Sequence, residues 1–594
     1  MLQELKKLYA NQLDFSENQV GQEIQKFLVN KENIFQLGES KAFFETLIEK
    51  AQEEIDENPV LQERINAVKS IEDLKVLLFP ENELPVNEES IETVRKQREV
   101  TITESNHALT NPVEEILFTS NVMLTLPKDT NAIAEKYRTK IDFSEPQEYW
   151  FDHPIPLDIK EESNEILYGL RNFNQSVGYE IEKGKKARIV LSVSCTHPSL
   201  KNIAKEYLIE KLEKESLDNL EVYIFTENEC QELLEILFQE KCTEQTFKDL
   251  QHTFGVDGKY GRHYTFLKAI SAFFQAHVDC NIKATYKIDL DQVFDQEKIK
   301  EYTGGYAFEK LVNNKFGATG VDVKGNKVKL GMVAGYLIND VDIDKSMYEA
   351  DVPMPLDTFN TEQYVFNSQR PQYISTVAEM LGRDSSDDKA IMRYHITGGM
   401  NGILIQDLCK YKPFTPSFIT RAEDQCFMLS IVNKPVDGEY LRCYHQPGFF
   451  MRHDKGTFLQ EDLKIFEVPK KVGDYERILL FSHYAKDILH SVEKIKTEIQ
   501  PFTSAFITAY PNTLILFRML FASYELAKKS ESDAKQFLEL CASRLPVIMH
   551  NIENNVYVDA YNSEVRAWEY YYDHVQQGAE DKIASFIEGI QYRG

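Results

Sequence analysis

The 594-residue chain carries 67 Lys and Arg against 95 Asp and Glu, a formal net charge of −28 at pH 7. That balance repels phosphate backbones and excludes non-specific nucleic-acid binding, while 42% hydrophobic and 11% aromatic residues exclude a disordered chain and suffice for several packed domains. Eight scattered cysteines, none in a CxxC pair, exclude a zinc knuckle or a disulfide frame and suit free thiols in a reducing, cytoplasmic compartment.

Residues 1–160 read as a helical N-terminal region. The N-terminus, MLQELKKLYANQLDF, lacks the apolar core of a signal peptide. In IQKFLVNKENIF and AFFETLIEKAQEEI the apolar positions recur every three and four residues, which predicts amphipathic helices. The turn-rich FPENELP at 79–85 separates such runs, residues 110–180 are mixed, and the proline-containing DHPIPLDI at 152–159 reads as a linker.

From residue 184 the pattern changes. GKKARIVLSVSCTHPSLKNIAKEYLIEKLEKE predicts a strand over 188–194, a loop and an amphipathic helix. LEVYIFTEN at 220–228 predicts a second strand, GRHYTFLKAISAFFQA at 261–276 a further helix, and ATYKIDLDQVF at 284–294 a third strand running into polar residues. Strands alternating with helices predict an α/β fold, a mostly parallel sheet covered by helices, over 184–470. In such sheets ligands sit beyond the carboxyl ends of the strands. Residues 471–594 return to helical periodicity. The most apolar stretch, FTSAFITAYPNTLILFRMLFASY at 502–524, is broken by Pro511 and Arg518 and reads as buried helix rather than a transmembrane span. The aromatic run Trp568-Glu569-Tyr570-Tyr571-Tyr572 reads as core or interface. The helical ends offer surfaces for self-association, of an order the sequence leaves open.

Chemistry concentrates in three segments. Lys287-Ile288-Asp289-Leu290-Asp291 ends an apolar strand in Asp-x-Asp, and alternation along a strand would point both carboxylates to one face. Two hard oxygen ligands suit Mg²⁺ or Mn²⁺, an ion that completes its shell with substrate phosphate oxygens and lets an acidic protein hold a diphosphate. Arg421-Ala422-Glu423-Asp424-Gln425 places an acidic pair at a predicted helix start. Phe450-Met451-Arg452-His453-Asp454-Lys455 adds a late histidine.

In this order the segments resemble those of GT-A fold glycosyltransferases, which use nucleotide-sugar donors, and the Glu-Asp pair and Met-Arg-His-Asp-Lys run are similar to those of the β-1,4-galactosyltransferase type. The resemblance covers roughly residues 185–460. It implies a GT-A, Rossmann-like catalytic domain, a metal (Mn²⁺ or Mg²⁺) held by Asp291 and His453 with Asp289 on the ribose or the metal's waters, Asp424 as the base for the acceptor hydroxyl, and Glu423 orienting acceptor or donor sugar. It implies a nucleotide-sugar donor, commonly a UDP-sugar, with a carbohydrate or other hydroxyl as acceptor. The nucleotide would meet Ser194, Thr196 and His197 at the end of the first predicted strand, and Arg262 or Lys268 on the helix before Asp-x-Asp would reach the diphosphate. At Phe450 the chain departs from the galactosyltransferase type, which has a methionine ligand there. Two other readings compete. A sugar nucleotidyltransferase would carry a glycine-rich loop after its first strand, where this chain has Ser-Cys-Thr-His-Pro-Ser. A non-catalytic α/β scaffold with helical arms would bind neither metal nor nucleotide.

Overall fold

A computed structural model describes residues 40–67, 73, 76–77, 79–147, 154–339, 369–380, 386–396, 398–453, 467–501 and 507–593. The helices expected within residues 1–39, the first two linker residues, 152–153, and residues 502–506 of the most apolar stretch lie outside the described residues. The chain divides into two compact units.

One unit draws on residues 1–94, 352–376 and 464–559 and is helical where described. Its helix Ser40–Asp56 buries Phe43, Phe44, Leu47, Ala51 and Ile55, a stripe with helical spacing. The apolar stretch forms the helix Pro511–Lys529 and buries Leu514, Ile515, Phe517, Leu520 and Phe521. Pro511 opens this helix rather than breaking it, because the first turn needs no donor from its nitrogen. The Glu54 carboxylate accepts from the backbone N–H groups of Asn512 (2.9 Å) and Thr513 (2.8 Å), which have no partner within the helix. Among the described residues no helix is long and apolar enough to cross a membrane.

The other unit draws on residues 95–351, 377–463 and 560–594. It is α/β, built on one twelve-stranded sheet. The strands are β1 (Glu99–Glu104), β2 (Ile116–Thr125), β3 (Ile155–Pro156), β4 (Ala187–Cys195), β5 (Leu220–Phe225), β6 (Ala284–Lys287), β7 (Gln292–Val293), β8 (Thr319–Asp322), β9 (Lys327–Asn339), β10 (Lys389–Ile391), β11 (Asn401–Leu404) and β12 (Tyr440–His453). The order is β10-β1-β8-β9-β11-β6-β2-β4-β5, with β3 beside β2, and β12 paired to both β7 and β9. The strands β6, β2, β4 and β5 run parallel, as the strand–helix alternation predicts. β11 joins this core antiparallel to β6, and β1, β8 and β10 extend the far edge antiparallel.

The centre of the parallel core corrects the sequence reading. It is β2, from the stretch assigned to the N-terminal helical region, and β1 comes from there too. ILFTSNVMLT is buried at nearly every position and shows no alternation, and its polar centre Thr119-Ser120-Asn121 breaks the continuous apolar run by which β4 is recognised. One face of the sheet packs against the helix Tyr260–His277 and a core that includes Phe225, Phe254, Phe266, Phe274 and Phe427. Trp568, Tyr571, Phe586 and Ile590, from the helices Val556–His574 and Glu580–Ile590, belong to the same core. The aromatic run is therefore core, and the Tyr571 hydroxyl donates to the Ala269 carbonyl at 3.1 Å. On the opposite face Phe118 meets Phe173, from the helix Glu165–Gly178, and Phe308 edge-on, with ring centroids 4.8 and 5.4 Å apart.

Candidate functional site

The chain leaves β2 toward β4 and β5, then returns to lay β6 on the other side of β2. The direction of winding reverses between β2 and β6, and in open α/β sheets the crevice for a ligand lies at the carboxyl ends there. The two strands pair only from Ile116–Thr119 against Ala284–Lys287, extended by the Ile288 amide donating to the Thr119 carbonyl at 2.9 Å. β2 then runs on to Thr125 while the other chain turns away through Asp289-Leu290-Asp291.

That turn separates the two aspartates. The Gln292 amide donates to the Asp289 carbonyl at 3.3 Å, so the segment curls and strand alternation no longer applies. The Asp289 carboxylate accepts from Lys287 Nζ at 2.6 Å and from Gln292 Nε2 at 3.0 Å. The Gly398-Gly399 turn closes over it. A Cβ on Gly399 would lie 2.7 Å from Asp289 Oδ2 and 2.3 Å from Gln292 Oε1, so a larger residue there would have to push these two side-chain ends aside. Asp291 instead meets His453, the last residue of β12, whose Cα pairs with Gln292. His453 Nε2 and Asp291 Oδ2 stand 2.8 Å apart, with side chains 11% and 21% exposed. The expected single-face carboxylate pair is thus replaced by an Asp291–His453 pair and a separate Asp289–Lys287 pair. Leu290 between them is pressed by Gly169, where an added Cβ would lie 2.6 Å from the Leu290 Cα and carbonyl oxygen.

Asp291 and His453 offer one hard oxygen and one imidazole nitrogen, a mixed donor set that fits Mn²⁺ better than the oxygen-seeking Mg²⁺, with water and phosphate oxygens left to complete the shell. In this structure the two side chains are joined directly by a hydrogen bond, which a bound ion would have to replace. Among the described residues no group of three or more His, Cys, Asp or Glu side chains is gathered to hold a metal ion.

The acidic pair opens the helix Glu423–Val432. Ala422, just before it, has a left-handed backbone (φ 58°, ψ 41°), which costs an alanine about 1 kcal/mol and re-aims the chain. The loop 412–422 is bolted to the helix Tyr260–His277. The Thr415 amide donates to Thr265 Oγ1 (2.8 Å), the Thr265 hydroxyl to the Thr415 carbonyl (3.3 Å), and the Gly261 amide to the Ile419 carbonyl (3.1 Å). The Thr415 hydroxyl then donates to the Glu423 carbonyl at 2.7 Å. Asp424 is buried, and burial pushes its carboxyl up to about 6 against the opposing pull of the Lys287 cation; the nearby Asp289 charge adds to the rise. Burial would lower the Lys287 ammonium, but Asp289, Glu423 and Asp424 outweigh it and hold Lys287 above its ordinary value. Lys287 is therefore the cation shared by the Asp-x-Asp turn and the acidic pair.

The expected nucleotide and diphosphate contacts fare differently. Thr196 reaches the end of β2, its hydroxyl 2.8 Å from Thr125 Oγ1. Ser194 donates to the Val256 carbonyl, and His197 Nδ1 accepts from the Ser199 amide at 3.2 Å. All three end β4, one strand removed from the β2–β6 crevice, because β2 and not β4 is the first strand of the parallel core. Arg262 is ion-paired with Asp257 and donates to the His252 carbonyl, so its charge is spent inside the fold. Lys268 is fully buried, with Nζ 2.5 Å from Asn401 Oδ1 and 3.1 Å from its carbonyl. Burial, together with the neighbouring Lys287 cation, holds the Lys268 ammonium well below its ordinary value. Neither faces an open crevice as a diphosphate contact would.

Lys287, Asn401, Tyr264 and Gln292 had no assigned role. Tyr264 donates to Asn401 Oδ1 at 2.8 Å, and Asn401 holds the Gly398 carbonyl through its side-chain amide at 3.2 Å. The available signal was the lysine two places before Asp289, a charge out of keeping with an apolar strand.

No protein-family model matches this chain, and neither does any curated protein.

Proposed function

We propose that the chain is a metal-dependent glycosyltransferase of the GT-A type that moves a sugar from a nucleotide-diphosphate donor to an acceptor hydroxyl with inversion. The observation that carries this reading is the meeting, at 2.8 Å, of Asp291 and His453 from opposite ends of a 162-residue span. It occurs at the carboxyl edge of a parallel sheet, in a neighbourhood where Asp289 and Lys287 also act on Asp424.

Asp291 and His453 would hold Mn²⁺ or Mg²⁺, which supplies Lewis-acid neutralisation of the departing diphosphate. Asp424 takes the acceptor hydroxyl proton on a carboxylate oxygen. A carboxyl pushed up to about 6 is mostly ionised at neutral pH, yet more basic than an ordinary aspartate, as a general base requires. Lys287 favours the ionised form, and Glu423 orients the acceptor. Proton removal on the face opposite the leaving group gives inversion. The nucleotidyltransferase alternative has less support, since the segments after β2 (Leu-Pro-Lys-Asp) and after β4 (Thr-His-Pro-Ser) both lack glycine.

The test is a panel of nucleotide sugars with Mn²⁺, scored for transfer and hydrolysis and for product anomeric configuration. Asp291→Ala should abolish metal-dependent nucleotide binding. Asp424→Asn should keep binding and lose transfer by 100-fold or more, the range for a general base. Wild-type activity in both variants would remove the proposed site.

A further inference from the structure

Glu564 lies on the helix Val556–His574, 140 positions beyond Asp424, and is 1% exposed. Its two carboxylate oxygens accept from the Ser417 amide at 2.9 Å and from the Ser417 hydroxyl. Ser417 sits in the loop 412–422, next to Pro416, whose carbonyl presses on Gly261. A charged carboxylate this deeply buried is costly unless its lone pairs are engaged. Here both bonds go to one residue of the loop that ends at the acidic pair; burial pushes the Glu564 carboxyl up to about 7, against the two Ser417 bonds and the Arg262 and Lys259 cations, which favour the ionised form.

The connection from Glu564 to the acidic pair is continuous. Glu564 holds Ser417. Thr415, two residues earlier, is locked to Thr265 and donates to the Glu423 carbonyl, and Ala422 turns the chain into Glu423 and Asp424. Such a lock restricts the loop to one arrangement, and a displacement of about 1 Å in a reacting group can cost 100-fold in rate.

We propose that Glu564 is a positioning residue: it clamps Ser417 so that the loop 412–422 presents Asp424 to the acceptor, and the last helices of the chain complete the acidic half of the site. This rests on the transferase reading for the role of Asp424, whereas the clamp itself can be measured apart from any activity.

The experiment compares full-length wild type with Glu564→Gln, Ser417→Ala and the double variant. Amide hydrogen exchange is followed across 412–426 and, as an internal control, across 284–293. In parallel, kcat, donor KM and Mn²⁺·UDP affinity are measured. A clamp predicts exchange at least 10-fold faster in 412–426 with 284–293 unchanged. It predicts kcat at least 10-fold lower with donor KM and Mn²⁺·UDP affinity within twofold, and a double variant no worse than the worse single one. Unchanged exchange in 412–426, additive losses in the double variant, or faster exchange without a fall in kcat would each overturn it. If Glu564→Gln fails to fold, the milder Ser417→Ala decides by the same criteria. A wild-type chain that transfers no sugar would end the transferase reading, while the exchange measurement would still decide the clamp.

Discussion

Replacing Gly261 with alanine would set a methyl group 1.8 Å from the Pro416 carbonyl oxygen and 2.7 Å from its carbon. Both are backbone atoms, so no side chain can swing aside. Restoring ordinary contact, which begins at 3.4 Å, requires the loop 412–422 to retreat by roughly 1.6 Å. Overpacking of this kind costs about 1–3 kcal/mol. The Gly261 amide bond to Ile419, 3.1 Å long, would be lost with the retreat, at about 1 kcal/mol. Alanine recovers at most about 1 kcal/mol through helix propensity, and less here because Gly261 is only the second residue of its helix. The steric cost wins, for a net destabilisation of about 1–3 kcal/mol. Urea denaturation of Gly261→Ala should show this loss. Transfer should fall at least 10-fold because Thr415 and Glu423 move with the loop, while Mn²⁺ binding at Asp291 and His453 stays within twofold of wild type. A stability change below about 0.5 kcal/mol with normal kcat would refute the tight seating of the loop on the 260–277 helix.

His453→Ala should weaken Mn²⁺ binding 10-fold or more by calorimetry or electron spin resonance, and equal affinity would mean the Asp291–His453 pair is only a salt link. Gly169→Ala should push on Leu290 and weaken Mn²⁺ binding several-fold without altering exchange in 412–426; the reverse pattern would contradict the contact that the 165–178 helix makes with the Asp-x-Asp turn. His263, 2.9 Å from Ser192 Oγ, is held neutral, its pKa pushed down to about 3 by burial with the Lys287 cation adding to the effect. An unfolded histidine titrates near 6.5, so this group's contribution is complete above that value and is lost progressively as pH falls from about 6.5 toward 3. Wild type should therefore lose stability relative to His263→Asn between pH 7 and pH 4 in thermal melts, and a gap independent of pH would show that the folded ring takes up its proton as readily as the unfolded one.

Local pattern was enough to place β4, β5 and β6, the helix before Asp-x-Asp and the helix opened by Glu423 and Asp424. β4, β5 and β6 are short continuous apolar runs, the helix before Asp-x-Asp is an apolar run too long for a strand, and the acidic pair stands where the helix dipole favours it. The chain's acidity likewise pointed from the outset to a cation for any anionic ligand. What tertiary packing decided is where those pieces meet. β2 is covered on both faces, so its residues carry no alternation, and only the pairing of its neighbours makes it the centre of the parallel core. The turn after Lys287 divides the aspartates, giving Asp289 to the lysine and Asp291 to a histidine at the end of another strand, a partition that spacing alone does not contain. Arg262 and Lys268 have the composition of phosphate contacts but are turned inward to Asp257 and Asn401. Periodicity records which face of an element is buried; the partner buried against that face is set by contacts between residues more than a hundred positions apart, and Glu564 on Ser417 is such a contact.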